Sequence, residues 1–116
     1  MKSSNENCVF LGDIGRTISK GSAIVKAAPF GNPGGIRRSA DEMDALASEF
    51  GRISKPRETN TLDLRMKVML ADYAEMLRAM AANDENGYKS AGTAAMNLGK
   101  EMGDDITTMK NRYGCK

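Results

Sequence analysis

Between Thr61 and Ala82 the chain reads TLDLRMKVMLADYAEMLRAMAA, and the apolar residues Leu62, Met66, Met69, Tyr73, Met76 and Met80 recur there in alternating steps of four and three. Steps of that size bring side chains onto one stripe of a helix, and Leu70, Ala74, Leu77 and Ala81 widen the stripe into a face. No Pro or Gly interrupts Leu62–Ala82 and most residues are good helix formers. Thr61 is placed to cap the N-terminus, and Asp63 puts negative charge in the first turn, where the helix dipole favours it. The pattern stops at Asn83-Asp84-Glu85-Asn86-Gly87, a polar cluster suited to a turn. Beyond it Tyr88, Ala91, Ala95, Leu98, Met102, Ile106, Met109 and Tyr113 repeat the helical spacing. Two long patterns joined by a short turn predict an antiparallel hairpin.

Gly92, Gly99 and Gly103 lie inside the second arm, where each costs about 1 kcal/mol relative to Ala. Close approach of two backbones would account for them. A break after Gly103, with Asp104 capping a new helix, is the alternative; a bent but continuous helix is expected. Upstream, Pro29-Phe30-Gly31-Asn32-Pro33-Gly34-Gly35 opposes both helix and strand and reads as a linker or loop. Ser39-Ala40-Asp41-Glu42 then has the form of a capping box. The helix it opens carries Met43, Leu46, Phe50 and Ile53 on one stripe and ends before Pro56.

Earlier still the pattern weakens. Met1–Asn7 is polar and expected to be mobile, and Cys8–Leu11 is too short for its period to distinguish strand from helix. Asp13–Ala28 holds Ile14, Ile18, Gly21 and Val25 at helical spacing, but Gly15 and Gly21 leave a helix there undecided. The expected fold is all-α: an antiparallel helical hairpin, a shorter preceding helix and a flexible N-terminal segment. Residues 1–38 form the lead. Residues 39–116 form the helical domain, with helices near 40–54, 62–82 and 88–112.

Composition excludes several chemistries. The chain has no His, which removes the usual acid–base group at neutral pH and the Ser-His and Cys-His pairings. Its two cysteines, Cys8 and Cys115, are too few for a thiolate zinc site. They read as free thiols of a reducing compartment, with a bridge between them or between copies as the alternative. Gly12-Asp13-Ile14-Gly15-Arg16-Thr17 lacks the spacing and the Lys of a phosphate loop. It also resembles the first strand of OB-fold proteins that bind single-stranded DNA, but no alternating strands follow. Asn83–Gly87 lacks the ligand order of a calcium loop, and Asp104-Asp105 reads as a helix cap. Asp63 with Lys67 and Glu75 with Arg78 are spaced as ion pairs along a solvated face. An enzyme is not expected, nor is any catalytic, cofactor-binding or metal-binding residue.

Seven of the nine methionines (66, 69, 76, 80, 96, 102 and 109) fall in the hairpin. Met fills irregular gaps and adapts to partners, so the stripe reads either as a core or as a face left open for another protein. The candidate partner-binding residues are Met66, Met69, Tyr73, Met76, Met80, Ala95, Gly99 and Met102. Net charge is +2, with +4 over residues 1–38, and Arg16, Lys20, Lys26, Arg37 and Arg38 form the candidate basic segment. That charge is dilute for nucleic acid. No apolar run is long enough to span a bilayer, and the start lacks a cleavable signal, so the expected location is the cytoplasm or a route without a cleaved signal.

The functional expectation is a non-enzymatic helical interaction or assembly protein that binds itself or another subunit. The segment Leu64–Met102, with Ala-Asp-Tyr-Ala at 71–74 and a second small-residue helix, resembles the C-terminal helices of inner-rod and needle subunits of type III secretion machines over about a third of the chain. That resemblance implies a structural subunit exported through an uncleaved N-terminal signal. The other reading is a small inhibitor, such as an immunity protein or phage-encoded antagonist, or a nucleic-acid-associated factor using the basic lead.

Overall fold

The structure, a computed structural model, describes residues 2–53 and 55–115. Met1 and Ser54, expected in a mobile start and in the last turn of a helix, lie outside that description. Four helices run in order: α1 Lys2–Ala27, α2 Pro33–Gly51, α3 Asn60–Ala81 and α4 Glu85–Tyr113, with a single 3-10 turn at Arg57–Thr59 before α3. The molecule is all-α. Helices α3 and α4 form the antiparallel hairpin, α2 packs along α3, and α1 lies over the trough, against α2, α4 and α3. The bundle is elongated, 49 × 22 × 20 Å.

Two helices thus precede the hairpin, one more than the spacing secured. In α1 the positions that face inward are Phe10, Leu11, Ile14, Thr17 and Gly21, a helical repeat that two of its glycines disguised. Phe10 meets Phe50 of α2 with ring centroids 5.9 Å apart. Gly21 has a packing role: a Cβ there would sit 3.6 Å from Met43 Sδ and 3.7 Å from a methyl of Leu46 and of Leu70. Gly15 faces open space.

Helix α2 begins inside the Pro/Gly cluster, at Pro33. Asn32 is its N-cap and accepts from the Gly35 amide at 3.1 Å, while Pro33 occupies the first helical position, where no amide is needed. The capping box expected at Ser39 does not form. Ser39 is buried one turn further in, and its hydroxyl donates to the Gly35 carbonyl at 3.3 Å. Asn32 wins because proline supplies a ready helical φ immediately after it.

Helix α3 starts earlier than expected, so Thr61 is not its cap. Thr59 stands at the cap position without a side-chain cap bond, its hydroxyl donating to the Pro56 carbonyl at 2.6 Å. The turn into α4 is also tighter than a five-residue loop. Asn83 adopts φ 60°, the Asp84 amide donates to the Ala79 carbonyl at 2.8 Å, and the Asn83 amide donates to the Met80 carbonyl at 3.1 Å. That is the left-handed Schellman ending of a helix. Asp84 then caps α4, accepting from the Gly87 amide at 3.0 Å.

Helix α4 is continuous through its three glycines, so Asp104 and Asp105 are interior residues and not caps. A Cβ on Gly92 would lie 3.2 Å from Met76 Sδ, and one on Gly99 3.8 Å from Met69 Sδ. Close approach of α3 and α4 explains both; Gly103 has no neighbour there and no packing account. Asp105 instead pairs with Arg65 of α3, and Asp63 with Lys67 at 3.3 Å as the spacing predicts. Arg78 does not pair with Glu75: its guanidinium reaches across to Asp41 and Asp44 of α2.

Cys8 and Cys115 are joined by a disulfide with Cα atoms 5.5 Å apart, so the reading of two free thiols is overturned. Gly114, at φ 68°, ends α4 in a second Schellman turn, with the Cys115 amide donating to the Lys110 carbonyl at 2.8 Å. This turn brings Cys115 back toward the first turns of α1. Next to Cys8, Asn7 is fully buried, and among the described residues neither its amide nitrogen nor its oxygen has a hydrogen-bond partner. Such a group costs about 1–3 kcal/mol of desolvation.

Candidate functional site

The methionine stripe divides along its length. Met66, Met69 and Met102 are 2% exposed or less, and Ala95 is wholly buried among them, so these four candidates belong to the interior. Gly99 seats Met69. The candidates toward the α3 C-terminus behave differently. Tyr73, Met76 and Met80 reach a groove at the end of the bundle where α1 and α3 finish and α2 and α4 begin.

The groove has two lobes that share Tyr88. One, of about 500 Å³, runs between Phe30 and Ile36 on one side and Ala79, Met80 and Tyr88 on the other. The second, of about 350 Å³, is framed by Val25, Tyr73, Met76, Tyr88, Gly92 and Met96. Glycine at 92 keeps the floor of the second lobe low, since a side chain there would meet the Met76 sulfur. Phe30 is 67% exposed, Met96 61% and Tyr88 39%. A Phe presented on a turn with both neighbours exposed has no core role, and large apolar side chains grouped around a hollow mark contact surfaces more often than singly scattered ones.

Sequence reasoning reached Tyr73, Met76 and Met80 as contact residues but missed Tyr88, Phe30, Val25 and Met96. Phe30 was legible in principle as the one aromatic inside the Pro/Gly turn. Val25 and Met96 become neighbours only once α1 is laid against the start of α4.

Charge at the groove is sparse and mixed: Asp84 is engaged as the α4 cap, and Glu85 pairs with Lys89 at 2.9 Å. The basic candidates do not converge on it as a patch. Arg16 pairs with Asp13 on its own helix, and Lys20 meets Glu49 at 3.1 Å. Lys26 lies in the last turn of α1, and Arg37 and Arg38 are exposed on α2. Across α2 and α3, the hydrogen bond to Asp44 holds the Arg78 pKa above its ordinary value against desolvation, with Asp41 adding to the rise. Burial, with Glu75 close by, pushes the Asp72 carboxyl above its ordinary value.

Among the described residues no group of three His, Cys, Asp or Glu side chains is arranged to hold a metal ion. No described helix is long and apolar enough to cross a membrane. What the groove can do chemically is exclude water from an apolar surface laid into it. Compared with known proteins, the chain matches no family model, no curated protein and no solved structure.

Proposed function

We propose that this is a non-enzymatic helical interaction protein that binds an apolar segment of another protein, or of a second copy, in the two-lobed groove around Tyr88. The observation that carries this reading is the grouping of exposed Phe30, Tyr88 and Met96 around hollows floored by methionine. Methionine linings repack around different apolar shapes, and Tyr and Phe add rigid contact area at low conformational cost. The Cys8–Cys115 bridge favours the exported arm of the location expected from sequence, because disulfides persist in oxidising compartments.

Site-specific photo-crosslinking tests the assignment. Benzoylphenylalanine at position 30 or 96 should give one dominant adduct, and Tyr88→Asp should abolish it while circular dichroism is unchanged. The same label at Glu49, outside the groove, supplies the control. Equal labelling at Glu49 and at position 30, or an adduct insensitive to Tyr88→Asp, would overturn the reading.

A further inference from the structure

At the end of the bundle opposite the groove, α1 is attached in an unusual way. Its fully buried large apolar side chains are Phe10, Leu11 and Ile14; Ile18, Ile24 and Val25 are only partly buried, and Gly21 brings the backbone close to Met43, Leu46 and Leu70 where a side chain would otherwise pack. Gly15 lowers its helix propensity and touches nothing in return. Among the described residues, its ion pair to another helix is Lys20 with Glu49, and both side chains are more than half exposed. The other three helices share more such surface pairs, Arg78 with Asp41 and Asp44 and Arg65 with Asp105. One residue of α1 works against docking: Asn7 is inserted with neither polar atom partnered among the described residues. Immediately after it comes Cys8, covalently joined to the turn that closes α4. Both sulfur-bearing residues are partly exposed and within reach of a small thiol.

We propose that α1 is a redox-latched helix: the Cys8–Cys115 bridge holds it down against the penalty at Asn7, and reduction releases it from α2, α3 and α4. The reductant is a dithiol. Its thiolate attacks one sulfur of the bridge, the Sγ–Sγ bond breaks, and the departing Sγ takes a proton. The second thiol of the reductant then displaces the remaining cysteine, so the reductant leaves as a disulfide and the protein holds two thiols. Release uncovers the seat formed by Met43, Leu46, Phe50 and Leu70, with the Ala28–Asn32 turn as the hinge.

Amide hydrogen exchange on the full chain tests this, with dithiothreitol as the dithiol and with the Cys8→Ser/Cys115→Ser variant as a second way to open the bridge. Without the bridge, amides of residues 8–24 should lose about a hundredfold more protection than those in the middle of α3 and α4, whose smaller loss follows the global unfolding free energy. Asn7→Leu should return much of the lost α1 protection in the reduced protein. Unchanged α1 protection on reduction would overturn the proposal, as the bridge would then be redundant. Equal loss across all four helices would overturn it too, because the bridge would then be a staple for the whole fold. Failure of Asn7→Leu to slow α1 exchange would remove Asn7 from the device and with it the physical basis of the latch.

Discussion

Gly114 shows how much can depend on one backbone angle. At φ 68° it turns the chain after α4 so that Cys115 faces Cys8, a conformation that costs L-residues about 1–2 kcal/mol. Gly114→Val is therefore expected to lower stability by that amount and to slow bridge formation, read as free thiol remaining during oxidative refolding. Asp72 predicts a pH effect. Its carboxyl is raised above the ordinary 3.8 by burial and by Glu75, so between 3.8 and its raised value the folded state binds the proton that the unfolded state has lost. Stability contributed by Asp72 is thus present at lower pH and is lost as pH rises through that window. Asp72→Asn should give a small gain in urea midpoint at pH 7 and none at pH 3. The pairing of Cys8 with Cys115 was not legible in the sequence, because nothing local links positions separated by 107 residues. Asn7 was equally hidden: a polar residue near a chain start reads as solvated until a neighbouring helix covers it.

Among the helices, legibility followed the strength of the repeat. Helix α3 was evident because an uninterrupted stripe of large apolar residues has one explanation. Helix α1 was not, since Gly12, Gly15 and Gly21 dilute its stripe and its burial is decided by what lies beneath it. Helix starts went wrong where two signals competed. Ser39 and Thr61 each offered a plausible cap, but the chain had already entered helix at Pro33 and Asn60. The caps that do form are exposed side chains accepting amides of their own first turns, Asn32 for α2 and Asp84 for α4. Asn32→Ala and Asp84→Ala should each cost about 1 kcal/mol in chemical unfolding. Gly87→Ala should approach the effect of Asp84→Ala, because the added Cβ would collide with the capping carboxylate. The groove was half legible for the same reason as α1: the spacing placed Tyr73, Met76 and Met80 on one face of α3, but which of them another helix covers is a property of packing.

For the molecule taken together, the bridge closes nearly the entire chain into a loop. A loop of about 100 residues removes about 4.7 kcal/mol of unfolded-state freedom in the chain-entropy account. Cys8→Ser/Cys115→Ser should lower the unfolding free energy by about 2–5 kcal/mol, measured by urea titration. Its slope against urea should also fall if the surface beneath α1 is already wet, since that slope follows the area exposed on unfolding. The groove and the bridge lie at opposite ends of a bundle 49 Å long, but α1 carries Val25 into the groove and its hinge holds Phe30, so substitutions at Tyr88 and at Cys8 should couple in partner binding.

The bridge also decides how the protein would bear a mechanical load. With residues 8 and 115 covalently joined, tension applied beyond them passes through a single sulfur–sulfur bond, and the helical chain between them carries none of it. The oxidised chain is a rigid link a few ångströms long in the line of force. Once the bond opens, the same pull unravels 107 residues, about 350 Å of extended polypeptide.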